Sequence, residues 1–162
     1  MTMIPTPFKF LRPGQLIDRE LELVLTRTVA ADPVKRHCPM YEFEMVHTRQ
    51  RSVMGKIRLR IAPPRALRYP GHIGYNVARK YRGHRYAARS CQLLLPLARA
   101  HDLPAVWLSV DPENTPSLKT CQIIGARYVE SVRIPRDHEM YQDGSRYCRR
   151  YRLRPRKLPR NP

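Results

Sequence analysis

Residues 71–100 constrain this chain more than any other stretch. Gly71-His72-Ile73-Gly74-Tyr75-Asn76-Val77 alternates as a half-buried strand, with Ile73, Tyr75 and Val77 on one face and His72, Gly74 and Asn76 on the other. A basic turn follows, containing one glycine, Gly83, among Arg79, Lys80, Arg82, His84 and Arg85. Beyond it, Ala87, Cys91, Leu94, Leu95 and Ala98 recur at spacings of three and four, the apolar stripe of an amphipathic helix. A strand that passes through such a turn into a helix aims the unpaired N–H groups of the first helical turn at the turn itself, which makes it an anion cradle. Pro96 lies inside the helical pattern and is expected to distort its last turn. The apolar run 105–110 then reads as a buried strand, and a strand-helix-strand crossover sets it parallel to the strand at 72–77.

The remainder is mostly strand-like. Residues 1–18 form a proline-marked arm, which Phe8, Phe10 and Leu11 can anchor. Alternation predicts strands over 19–29, 41–46 and 53–61, the last two joined as a hairpin. Only about ten residues, 30–40, separate the first two strands. After 110, Asp111-Pro112-Glu113-Asn114-Thr115-Pro116 starts a second helix, with Thr115 as the expected N-cap, and Gly125 ends it. Residues 127–134 and 145–153 read as two closing strands, and the basic, proline-rich tail 154–162 as disordered. The expectation is a single domain over 1–162 with its core in 19–153, folded as a mixed, twisted sheet of about six or seven strands flanked by helices.

Charge narrows the partners. Thirty-one Lys and Arg against 13 Asp and Glu give a formal charge of +18. Such a field attracts anionic ligands and nucleic acid and disfavours polycationic acceptors such as polyamines. The four cysteines lie far apart without ligand spacing, so neither a zinc site nor a disulfide framework is expected, and no metal is called for. No run of 18 apolar residues exists and the first ten residues lack the pattern of a secretion signal, so the expected setting is cytoplasmic, with no membrane partner. A homodimer is compatible with these features. One competing class is a basic nucleic-acid or ribosome-binding module, in which Tyr147 and Tyr151, interleaved with arginines in 146–160, act as stacking platforms.

Over roughly residues 19–153 the order of elements resembles the GNAT acetyltransferase superfamily. Arg82 to Ala87 is similar to its pyrophosphate loop, in which Arg or Gln is followed by two free positions, Gly, one free position, and Gly or Ala. Arg82 and Ala87 match, and Arg85 stands where the loop has Gly. The resemblance implies an α/β fold in which the fourth and fifth strands are parallel and splayed. It also implies acetyl-CoA as acyl donor and transfer to a primary amine of a small molecule or peptide, neutral or anionic rather than polycationic. By that resemblance Val77 and Ala78 offer backbone groups to the pantetheine arm. Arg82, Gly83, His84, Arg85, Tyr86 and Ala87 hold the diphosphate, and Asn114 with Ser117 meets the pantetheine or stabilises the second helix start. If residue 85 has helical dihedrals, its Cβ points away from the anion and its guanidinium adds charge.

Other departures concern the chemistry. Cys121 occupies the place where many relatives carry a tyrosine that protonates the departing thiolate; it is equally a core residue on an apolar helix face. Candidate general bases are His72, whose ordinary pKa lies near neutrality, and Glu44, with Glu42 and Asp111 as further carboxylates. The short link 30–40 leaves no room for the helices that usually wall the acceptor site. A CoA-binding protein without turnover is the remaining alternative.

Overall fold

A computed structural model describes residues 6–155. The first five residues of the arm and the expected disordered tail from 156 onward lie outside the described residues. The elements in order are β1 (Ile17–Asp18), β2 (Leu21–Val29), β3 (Met40–His47), β4 (Val53–Arg60), β5 (Ile73–Val77), α1 (Tyr86–Ala100), β6 (Val106–Val110), α2 (Thr115–Ile123), β7 (Arg127–Arg133), α3 (Glu139–Gln142) and β8 (Tyr147–Leu153). Period-two alternation places Leu21 and Leu23 of β2, Tyr41, Phe43 and Met45 of β3, and Ile57 and Leu59 of β4 on one buried face. Val106, Leu108 and Val110 of β6 meet them in the same core with Cys91 and Leu94 of α1. Each such fully buried side chain contributes about 1.5–3 kcal/mol through area removed from water.

The strands form two sheets rather than one. β1 to β5 pair in sequence order, antiparallel throughout, and β6, β8 and β7 make a second antiparallel sheet with β8 in the middle. The parallel ladder expected between 72–77 and 105–110 is absent among the described residues. Those segments, β5 with its lead-in and β6, meet at an isolated antiparallel bridge between Gly71 and Leu108. Gly71 makes the approach sterically feasible: it has φ of 69°, and a Cβ there would lie 2.7 Å from the Trp107 carbonyl oxygen. Beside it, the His72 N–H donates to that same oxygen at 2.8 Å. The ring of His72 then takes the next position, accepting the Trp107 N–H at Nδ1 over 3.0 Å. A side chain fills the place of the next main-chain rung, and the strands part beyond it.

Three anchors fix α1. Its last turn and the following loop meet the N-terminal arm, where the Tyr41 hydroxyl accepts from Leu11 N–H at 2.7 Å and lies 2.6 Å from His101 Nε2. Phe8 stacks on His101 with ring centroids 5.0 Å apart. Near its start, buried Arg89 reaches Asp18 Oδ2 at 2.6 Å, Glu20 Oε1 at 2.8 Å and the Asp18 carbonyl at 2.6 Å. The helix continues through Pro96, which sits on its exposed side. Among the described residues no helix is long and apolar enough to cross a membrane.

The Arg89 guanidinium beside Glu20 holds that carboxyl at about 2, below its usual 4.5, and hydrogen bonding to Arg89 lowers Asp18 as well. A depressed carboxylate pKa adds stability that is complete above the unfolded value and fades as pH falls through the folded one. Arg89→Met is expected to cost about 2 kcal/mol in urea unfolding at pH 7, less than a fully buried pair because both carboxylates are partly exposed. The variant should also lose less stability than the parent between pH 4.5 and 2.

Candidate active site

Where β5 leaves β6, its hydrogen-bonding pattern decides which amides are spare. Arg60 N–H donates to the His72 carbonyl and Ala78 N–H to the Met54 carbonyl, both at 2.8 Å. With Ile57 opposite Tyr75 and Gly55 opposite Val77, the antiparallel alternation turns residues 72, 74, 76 and 78 toward β4. The backbone groups of Ile73, Tyr75 and Val77 therefore face the gap. Ala78 has nothing to offer: its N–H is spent on Met54 and its carbonyl accepts from Tyr81 N–H at 2.9 Å. Of the pair Val77 and Ala78, the free donor is at Val77, whose carbonyl is held by Arg82 Nε at 3.1 Å.

The strand runs through a short 3-10 turn, Arg79–Tyr81, into the basic loop. Gly83 has φ of 91° and Arg85 has φ of 60° with ψ of 27°. Arg85 is thus left-handed, not helical, and its placement differs from the expectation of helical dihedrals. The sign of φ alternates over Gly83, His84, Arg85 and Tyr86, which curls successive N–H groups into a concavity suited to an anion. No side chain caps α1 and its first turn carries no acid. Arg82, Gly83, His84 and Arg85 are exposed, whereas Tyr86 and Ala87 are buried at the helix start. The family loop's Gly position is filled here by an arginine that adopts the glycine-like conformation at a cost of about 1 kcal/mol.

The gap itself is a cleft of about 290 Å³. Gly74 and Tyr75 line one wall, Ser109 and Asp111 the other, with Ser117 at the α2 end and Arg60 at the opposite end. Asn114, not Thr115, is the N-cap of α2: its Oδ1 accepts from Ser117 N–H at 3.2 Å. Asp111 Oδ1 accepts from Glu113 N–H at 2.9 Å, and its second oxygen has no hydrogen-bond partner among the described residues. The Tyr75 hydroxyl is sealed from solvent and faces the Ser117 and Thr120 hydroxyls without completing a hydrogen bond to either; burial pushes the phenol up to about 12. A wider groove of about 970 Å³ lies at the other ends of α1 and α2, lined by Gln92, Leu95, Arg127 and Arg152, away from every residue expected to meet the donor.

Of the expected catalytic residues His72, Glu44 and Cys121, none lines this cleft. His72 is fully buried with both ring nitrogens engaged, Nδ1 by Trp107 N–H and Nε2 by the Ala62 carbonyl at 2.9 Å, so Nε2 carries the proton and donates it. Burial lowers its pKa. It is a joint between sheets and cannot act as the base. Cys121 is fully buried in the same cluster as Cys91, and burial pushes its thiol up to about 11. Glu44 lies on the outer face of the larger sheet, registered with Val24 and Lys56, and Glu42 is bound by Arg27. Tyr151 is buried and packs edge-on to Tyr128 at 5.6 Å, which removes one of the two proposed base-stacking platforms; Tyr147 is half exposed. Among the described residues no cluster could hold a metal ion.

The sequence matches the acetyltransferase (GNAT) domain over residues 8–127. The chain belongs to the GNAT acetyltransferase family. By family it is an acetyltransferase. Solved structures share its fold. A putative ribosomal-protein-serine acetyltransferase from Vibrio cholerae aligns with TM-score 0.62 and 17% identity over 90% of this chain and 100% of that one. Mycobacterium smegmatis RimJ, in complex with CoA-disulfide, aligns with TM-score 0.58 and 25% identity over 75% of this chain and 56% of that one. The ribosomal-protein-S5-alanine acetyltransferase from Vibrio fischeri gives 0.56 and 16%, over 72% and 62% respectively. No curated protein matches the chain.

Sequence reasoning missed Tyr75 and Arg60 as cleft residues of this GNAT acetyltransferase. Tyr75 carried a legible signal, a polar-tipped aromatic on the strand that ends at the basic turn. Arg60 carried none, because alternation put it on a wet face.

Two outcomes follow from these geometries. Arg85→Gly should remove the backbone strain and raise stability by about 1 kcal/mol, while titration calorimetry shows acetyl-CoA binding weakened about fivefold through loss of the guanidinium. For His72, neutral in the fold, stability is complete above the unfolded pKa near 6.5 and falls as pH drops toward the lowered folded value. His72→Gln should be less stable by about 2 kcal/mol at pH 7.5, yet show a shallower decline below pH 6.5. Half-buried His101, shifted the same way, leaves some decline in both.

Proposed function

We propose that this GNAT acetyltransferase is an N-acetyltransferase that carries the acetyl group of acetyl-CoA directly to a primary amine. The observation that carries this reading is the parting of β5 and β6 beyond His72, which leaves the Tyr75 amide on the cleft and the Val77 amide unpaired on the same strand edge, just before the chain enters the basic turn. In this reading the alternating backbone of Gly83 to Tyr86, the uncapped start of α1 and the arginines around it hold the diphosphate. The Tyr75 and Val77 N–H groups align the pantetheine arm and polarise the thioester carbonyl. Ser117 and the amide of Asn114 border the arm at the start of α2.

The amine enters from the Arg60 end. The free oxygen of Asp111 accepts its proton, directly or through a water, as the new N–C bond forms. The C–S bond breaks and the CoA thiolate departs, taking its proton from solvent water; the Tyr75 hydroxyl, sealed from solvent beside Ser117, Thr120 and Cys121, stays in the core. The V. cholerae and V. fischeri relatives, named as ribosomal-protein acetyltransferases, support a peptide amine as one acceptor class.

Release of free thiol from acetyl-CoA in the presence of an amine library tests the reading, since a CoA-binding protein without turnover releases none. Asp111→Asn retains the oxygen that accepts from Glu113 and should lower kcat/KM about 100-fold, whereas Tyr75→Phe, which removes only a hydroxyl sealed in the core, should leave kcat within about twofold. Both variants should bind acetyl-CoA with unchanged affinity. Equal rates in Asp111→Asn and parent would remove Asp111 from the mechanism.

A further inference from the structure

The acceptor end of the cleft contains a cation that the proposed transfer does not use. Arg60 closes β4 and lines the cleft, and only part of its side chain reaches solvent. Its Nη1 makes one long hydrogen bond to the Gly71 carbonyl, 3.4 Å. No carboxylate lies within ion-pair distance of it among the described residues, although Arg19, Arg27, Arg51, Arg68, Arg89 and Arg150 all have one. The ionisable groups around it are the like-charged Arg58 on the same strand, the Cys38 thiol and Glu139 on α3. A guanidinium has five donors in a planar fork, so most of its hydrogen-bonding capacity is unspent. Partly burying such a group without a partner costs free energy, and burial accordingly lowers its pKa.

The floor beside it is kept low. Gly74 sits opposite Arg58 in the ladder, and a Cβ at that position would lie 3.6 Å from Arg60 Nη1 and 3.5 Å from Arg58 Cγ. Any larger side chain would occupy the space over the fork. The cleft thus has a cation at its acceptor end and, on its other wall, a carboxylate, Asp111, with one oxygen free. Complementarity to that pair belongs to a molecule bearing both an ammonium and an anion.

We infer that Arg60 is the acceptor-recognition residue, and that the acceptor is a primary amine carrying a carboxylate or phosphate close to the reacting nitrogen. The amine lies toward Asp111 and the anion on the Arg60 fork, where a charge-assisted and, for a carboxylate, bidentate contact forms. This inference rests on the N-acetyltransferase reading and gives its acceptor a chemical class. A free amino acid and the amino terminus of a peptide with an early acidic residue both present this chemistry.

Matched amines separate the sources. Thiol release is measured with glycine against glycinamide, and with glycyl-glutamate amide against glycyl-glutamine amide. The parent is expected to favour the anionic member of at least one pair by about tenfold in kcat/KM, through KM. The favoured pair identifies the source. In Arg60→Gln the preference should shrink below about twofold, and Arg60→Lys should keep part of it, with acetyl-CoA affinity and melting temperature unchanged in both. Turnover without preference in either pair, or a preference that survives Arg60→Gln, overturns the anion subsite and leaves the transferase reading standing. No turnover of any of the four, with acetyl-CoA bound, overturns both.

Discussion

A single histidine side chain stands at the junction between the two sheets. His72 uses its main-chain N–H to bind the Trp107 carbonyl and its ring to bind the Trp107 amide, then spends the remaining ring N–H on Ala62. All three contacts are buried, where an unpaired polar group would be costly, so the joint is made strongly or not at all. Because a ring replaces the next backbone rung, the ladder cannot propagate. β5 and β6 separate with unpaired main-chain edges facing one another, an arrangement that a closed sheet would not tolerate and that a ligand arm can satisfy. The cleft is therefore a consequence of how the sheets are tied.

Charge is organised locally against this frame. The molecule is strongly cationic, yet its buried arginines are not alike. Arg89 is matched by Asp18 and Glu20 and ties α1 to the start of the larger sheet. Arg150 is matched by Glu130 and lies over the Trp107 ring with 4.4 Å to its centroid. These pairs hold the frame that presents the other cations: Arg82 and Arg85 around the helix start, and Arg60 at the far mouth. In the proposed reading the arginines at the helix start address the diphosphate and Arg60, which lines the cleft, addresses the acceptor's anion.

Much of the architecture was legible in the residues. Strands at 19–29, 41–46, 53–61, 72–77, 127–134 and 145–153 follow from alternation, the strand at 105–110 from its short apolar run, and both long helices from their stripes and stops, because these patterns reflect which face each segment must bury. Gly125 ends α2 as expected, at φ of 73°. The misses share a cause. The helix cap at Asn114 rather than Thr115, the left-handed Arg85, the missing parallel ladder, and the withdrawal of His72 and Cys121 from the cleft each turn on which group lies opposite. A sequence fixes period but not partner.

The chain's own order of residues determined the class of fold, the basic turn into a helix and, through the match over residues 8–127, membership of the GNAT acetyltransferases. These are local or cumulative properties, set by short-range dihedral preferences and by repeated burial of one face. Tertiary structure alone decided that His72 is a joint, that Ala78 has no spare donor while Val77 has one, and that Tyr75, Asp111 and Arg60 border one cleft. Those outcomes depend on contacts between separate elements, such as His72 with Trp107, whose geometry arises only when two sheets close on a common core.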